Sequence, residues 1–209
     1  MCLFDDDALD WEPLQLLDSV SPPIQVVRGY VRDEQTTLEI RKKIMMIEET
    51  SVVMDGRRRP VATIKGNAFW FNTFKAIYDA DGTVLLFKMR YDWPSFQRRF
   101  SCEDEQGREL FRIKRKFKWC GIKLIATIPS TVGDLTLQLT DVDCGHAAKI
   151  KDLRSGAVVA TISYALWRSD LVLQNREAYT VNVAGGVDLS VIVALCLAWD
   201  QAKEDNRQE

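Results

Sequence analysis

The amino-acid sequence predicts a mainly β protein, a closed antiparallel β-barrel that encloses one hydrophobic C-terminal α-helix. Three observations lead there. Four Asp-initiated turns each open onto a short β-like run, further alternating runs fill the intervals, and a segment apolar on every face follows them near the C-terminus.

The turns come first because they repeat. Asp55-Gly-Arg-Arg-Arg-Pro leads into Val61–Ile64, Asp79-Ala-Asp-Gly82 into Val84–Phe87, Asp104-Glu-Gln-Gly107 into Leu110–Ile113, and Asp152-Leu-Arg-Ser-Gly156 into Val158–Ile162. In the middle two, Gly falls three residues after Asp; in the first an Arg takes that place, and the last has one extra residue. An Asp carboxylate can cap its own turn, and Gly accepts the positive φ at the turn's end, so each unit reads as a β-hairpin. None carries the alternating carboxylates that a calcium loop needs. Between the hairpins lie Leu38–Arg41, Phe69–Phe74, Leu124–Ile128, Leu135–Leu139 and Leu171–Gln174, all alternating, with no helical pattern that would make parallel crossovers.

At Gly185-Gly186 the pattern changes. Asp188 is a good N-cap, and Leu189–Ala198 is apolar all round, so this helix must be enclosed. In an otherwise all-β chain the available enclosure is a barrel interior, and closure also removes exposed sheet edges. The apolar run ends at Trp199 between Asp188 and Asp200, far short of the roughly 20 residues a bilayer span needs. On this reading Val193 and Leu195 are buried, Cys196 resists thiol reagents, and loss of residues 188–209 leaves an insoluble chain.

Composition sets the remaining bounds. The 209 residues are 46% hydrophobic and 28% charged, with a formal net charge of −2, as expected of one large ordered domain. No global field pulls such a chain toward nucleic acid, so anion binding must come from a local patch. Five scattered cysteines without CxxC spacing, and a start (Met1–Asp7) unlike a signal peptide, point to reduced thiols in a cytoplasmic protein, peripheral at membranes or nuclear. Residues 1–21 read as an acidic extension, mobile apart from one docked segment, and removal of residues 1–20 is expected to be tolerated. Residues 22–205 form the barrel domain, and 206–209 a polar tail.

Three stretches are similar to a known family. Pro23–Arg28 (PIQVVR) with Leu38–Lys43 (LEIRKK) resembles the opening strands of the LURP-one-related family, and Gly107–Lys116 (GRELFRIKRK) its central hairpin. Tyr179–Asp200 (YTVNVAGGVDLSVIVALCLAWD) resembles the closing strand and helix. The likeness covers residues 22 to 205 and departs at the Arg57–Arg59 turn, where Gly is usual, and across Trp70 to Phe100. It implies the fold shared by tubby proteins and phospholipid scramblases, about twelve strands around a central helix. It implies no reaction. Tubby barrels bind phosphoinositides and scramblases move lipids, so a lipid-related ligand is the family's suggestion.

No catalytic residue, cofactor or metal site is assigned. His146 beside Cys144 supplies two soft ligands where zinc needs three or four, and GxSxG, GxGxxG and P-loop motifs are missing. The aromatic run Phe69–Phe74, with Trp93 and Phe96, lacks the interleaved basic residues of a base-stacking platform and reads as packing. The strongest charge feature is the stretch 112–119, RIKRKFKW. As a strand it places Arg112, Lys114, Lys116 and Lys118 on one face, about 7 Å apart, with Ile113, Phe117 and Trp119 inward and Arg115 among them. Arg57, Arg58 and Arg59 extend this patch if their turn folds nearby. The stripe suits an anionic lipid headgroup or an acidic protein partner, while the bland alternative is a solvated face whose lysines guard a strand from edge pairing. The expected function is therefore a non-enzymatic binding scaffold, a monomer with no transmembrane span. The other reading is a scramblase-like lipid-translocating protein, which would require Val187–Trp199 to insert in a bilayer.

Overall fold

The computed structural model describes residues 16–43, 48–67, 74–92, 99–118, 121–131, 133–142, 147–164 and 178–207. The chain forms β1 (Thr36–Lys43), β2 (Glu48–Asp55), β3 (Pro60–Asn67), β4 (Phe74–Tyr78), β5 (Leu85–Asp92), β6 (Arg99–Glu103) and β7 (Glu109–Lys116). These are followed by β8 (Lys123–Ile128), β9 (Leu135–Asp141), β10 (Ala147–Asp152), β11 (Val158–Tyr164), β12 (Ala178–Val183) and a helix, α1 (Leu189–Arg207). Each strand pairs antiparallel with its sequence neighbour, and β1 pairs with β12 (Ile40 opposite Tyr179), so the sheet closes into a twelve-stranded barrel.

All four Asp turns form as hairpins, and each is followed by a register shift in its strand pair. The Asp55 carboxylate accepts the N–H groups of Arg57 (2.9 Å) and Arg59 (2.8 Å), and Asp104 those of Gln106 (2.9 Å) and Arg108 (2.9 Å). Asp79 accepts from Thr83 (2.8 Å) and Val84 (3.1 Å), and Asp152 from Arg154 (2.9 Å) and the Ser155 hydroxyl (2.9 Å). Positive φ falls where the spacing places it, at Gly82 (70°), Gly107 (76°) and Gly156 (77°). In the first turn, where an Arg stands three residues after the Asp, Arg58 takes that conformation instead (φ 60°).

Side chains alternate around the barrel wall. In β8 Leu124, Ala126 and Ile128 point inward and are buried, while Lys123, Ile125 and Thr127 are half-buried outside. The inward set meets α1, whose Val193, Leu195 and Cys196 are 1%, 0% and 0% exposed. The helix runs past the apolar stretch to Arg207, because its later polar residues find partners near the barrel's end. Tyr179 donates to Asp200 (3.1 Å), Tyr91 to Asp205 (2.8 Å) and Arg115 to Asn206 (2.6 Å), and the Lys203 ammonium sits 4.3 Å from the Trp199 ring centre.

Alternation of strand direction puts the four Asp turns and the start of α1 at one end of the barrel. The β7–β8 connection and the end of α1 lie at the other. At the first end the N-terminal segment docks earlier than residue 22. Val20 donates to the Gly185 carbonyl (2.8 Å), Ile24 to Gly186 (2.8 Å), and Leu17 to the Gln35 side chain (2.8 Å). A Cβ on Gly185 would collide with the Asp33 carbonyl oxygen, and one on Gly186 with that of Val20. The glycine pair is thus a close crossing of backbones as well as a strand break. Truncation through residue 20 would remove the Leu17 and Val20 hydrogen bonds of this docking.

Candidate functional site

On β7, Phe111 and Ile113 are fully buried inside while Arg112, Lys114 and Lys116 alternate with them outside, as the period of two requires. The expected stripe is altered at both ends. Arg112 is neutralised by Glu109, with contacts of 2.7 and 2.6 Å. Lys118 lies beyond the strand, and its ammonium donates to the Asp141 carbonyl (3.1 Å).

Phe117 is a correction. The alternation places it inside, whereas it is 81% exposed, because β7 stops at Lys116 and strand alternation no longer holds beyond it. The inward position before it belongs to Arg115, bonded to Asn206, since the barrel is polar at that depth. Trp119 lies outside the described residues, as do Cys144, His146, Phe69 to Thr73, Trp93, Phe96 and the run Leu171–Gln174.

Arg57, Arg58 and Arg59 are brought no nearer. Their turn joins β2 to β3, with β4, β5 and β6 between it and β7, and it stands at the opposite barrel end from Lys116. Arg59 is also held by Asp55 at 2.7 Å. What the register does bring to β7 is a second set of lysines. Lys116 faces Lys123 on β8, Lys123 faces Thr140 on β9, and Thr140 faces Lys149 on β10. A parallel row runs Lys114, Ile125, Gln138, Lys151. Five lysines on β7, β8 and β10 thus share a field four strands and about 14 Å wide, at a strand spacing of roughly 4.8 Å, with rows about 7 Å apart.

Among the described residues none of Lys114, Lys116, Lys123, Lys149 and Lys151 has a carboxylate partner. The outward positions of β8, β9 and β10 carry no acid; Asp141 and Asp152 point inward and are buried. Thr127, Thr136 and Thr140 supply hydroxyls, and Gln138 an amide, between the cations. The alternating Lys149-x-Lys151 was a readable signal. Its adjacency to β7 was not.

The end of the field near Lys116 is fixed from inside. The Asp141 carboxylate accepts the indole N–H of Trp199 and the backbone N–H of Ile122, the latter at 2.9 Å. Burial pushes this carboxyl above the usual carboxylate range, although both hydrogen bonds and the nearby Lys203 and Lys118 pull it down. Among the described residues no group of three or more His, Cys, Asp or Glu side chains is arranged to hold a metal ion.

The family model described as LURP-one-related matches residues 36–200, from the first strand to the apolar part of the helix. The chain belongs to the LURP-one-related family. No curated protein sequence matches it. An X-ray structure of a protein from Arabidopsis thaliana superposes with a TM-score of 0.62 at 16% identity, covering 87% of this chain and 99% of that one. At that identity the likeness shows the fold alone. Within the LURP-one-related match, the barrel strands and the helix as far as Asp200 are covered, and so is every residue of the lysine field.

Proposed function

We propose that this LURP-one-related barrel is a non-enzymatic scaffold that binds an anionic ligand, of the phosphoinositide-headgroup or acidic-protein kind, on the outer face of β7 to β10. The observation that carries the reading is the set of five lysines without carboxylate partners. Because the barrel is closed, those strands have no edge for lysines to guard, which removes the usual structural reason for them. Lys116 directly opposite Lys123 is an unfavourable like-charge pair, relieved when an anion sits over it. Each cation contributes on the order of 1 kcal/mol at an anionic surface. Five then give roughly 5 kcal/mol, an affinity between about 0.1 and 1 mM before any shape-specific contact.

The lipid-translocating reading has less support. Val187 to Trp199 are 0–2% exposed within the barrel, so insertion would require the wall to open. Among the described residues no helix is long and apolar enough to cross a membrane.

Titration calorimetry with inositol hexakisphosphate, at low and physiological salt, tests the scaffold. Binding should weaken with salt and fall at least tenfold in Lys123→Glu/Lys149→Glu. Undiminished binding by that variant, or none by the wild type at low salt, sinks the assignment.

A further inference from the structure

The basic field ends at an exposed aromatic side chain. Phe117 is 81% exposed, more than any other large apolar residue among the described side chains apart from Leu16, and Lys116 and Lys118 flank it. An isolated exposed apolar residue needs no explanation. This one is distinguished by what surrounds it. It stands at the barrel end where Lys116 faces Lys123, so apolar and cationic groups share one rim.

The residues on either side of it are also held. Immediately before it, β7 is paired through Lys116; immediately after it, Lys118 is tied to the Asp141 carbonyl (3.1 Å). Further on, Ile122 donates to the Asp141 carboxylate (2.9 Å) and accepts from the Asp141 N–H (3.0 Å). Asp141 is in turn locked to Trp199 of the central helix. Lys116 before Phe117, and Lys118 and Ile122 after it, are therefore tied to the barrel, so presenting the ring outward carries little further ordering cost on binding.

We infer that this rim docks on an anionic membrane surface, Phe117 entering the headgroup–acyl boundary while Lys114, Lys116 and Lys123 engage the lipid phosphates. The inference rests on the anionic-ligand reading of the lysine field and adds the membrane as the source of the anion. An aromatic ring beside cations is the pattern of interfacial binding, where apolar burial and electrostatic attraction add. A soluble anion would use the lysines alone. A bilayer uses both.

The experiment separates the two layers of the argument. Wild type, Phe117→Ala and Lys116→Glu/Lys123→Glu are each measured against four probes. These are soluble inositol 1,4,5-trisphosphate, a poly-glutamate peptide, neutral phosphatidylcholine vesicles, and the same vesicles carrying phosphatidylinositol 4,5-bisphosphate. Since Phe117 is outside the core, Phe117→Ala should melt with the wild type. It should lose about tenfold in partition to the anionic vesicles while keeping its affinity for the soluble trisphosphate. The double lysine variant should lose both. Unchanged vesicle partition in Phe117→Ala overturns the docking inference and leaves the basic-face reading standing. So does a wild type that binds the trisphosphate or poly-glutamate but sediments with no vesicle. A wild type that binds none of the anionic probes overturns both.

Discussion

Replacing Asp188 with Ala should be among the most damaging single changes available in this chain. The carboxylate is fully buried and accepts four hydrogen bonds. One oxygen takes the backbone N–H (2.9 Å) and the hydroxyl (2.6 Å) of Ser190, and the other the N–H groups of Val26 (2.8 Å) and Val27 (2.7 Å). The first oxygen caps α1; the second ties the N-terminal segment to the helix. Loss of a cap costs about 1 kcal/mol. Each further donor left unpaired costs about 1–3 kcal/mol, nearer the lower figure for Val26 and Val27, which are half-buried and within reach of water. The sum is about 3–6 kcal/mol, a large share of the roughly 5–15 kcal/mol that stabilises a domain. Asp188→Asn should be nearly as damaging, because its amide N–H₂ would face two backbone donors. Urea unfolding followed by tryptophan fluorescence gives the loss, and amide hydrogen exchange at Val26 and Val27 should speed up in both variants. A loss below about 1 kcal/mol for Asp188→Ala, or an Asn variant indistinguishable from wild type, would refute the latch.

Leu195→Ala should cost about 2–5 kcal/mol in the same assay through lost transfer energy and a residual cavity, and Cys196 beside it should stay unlabelled by a thiol reagent until unfolding. Arg58→Gly should stabilise the protein by about 0.5–1 kcal/mol, read as a higher melting temperature, because glycine adopts the φ of 60° without the Cβ clash. Backbone donors, Arg108 N–H foremost for Asp104, hold the Asp55, Asp79 and Asp104 carboxyls below the usual range. The stability they contribute is present above the unfolded value of 3.8 and lost as pH falls through their lower folded values, so the advantage of wild type over Asp104→Asn should shrink toward acid. Asp141 runs the other way. Its raised folded value makes the folded state bind the proton first, so the advantage of wild type over Asp141→Asn should grow as the pH falls toward 3.8, with urea midpoints against pH as the check.

Local chemistry was legible in the sequence wherever a few neighbouring residues settle the conformation. The Asp-to-Gly spacing of the turns needs only the reach of a carboxylate to nearby N–H groups and a residue that tolerates positive φ, and it even located the odd turn at Arg58. Leu189–Ala198 announced its own burial, since a helix apolar on all sides has no stable place but an interior. Alternation along β7 separated Phe111 and Ile113 from Arg112, Lys114 and Lys116, and failed at Phe117 only because strand periodicity lapses where the strand ends. What tertiary structure decided was adjacency. Closure joins β1 to β12 across nearly the whole chain, the backbone of Val20 crosses Gly185-Gly186, and Arg57–Arg59 stand at the far end from Lys116. The lysine field exists because the register of β7 to β10 sets Lys116 opposite Lys123 and carries Lys149 and Lys151 into the same two rows. A one-residue slip in any of those pairings would turn a strand's lysines to the other face, and the register that prevents it is enforced by the burial of Leu124, Leu137, Leu139 and Ile150 against a helix that enters the chain last.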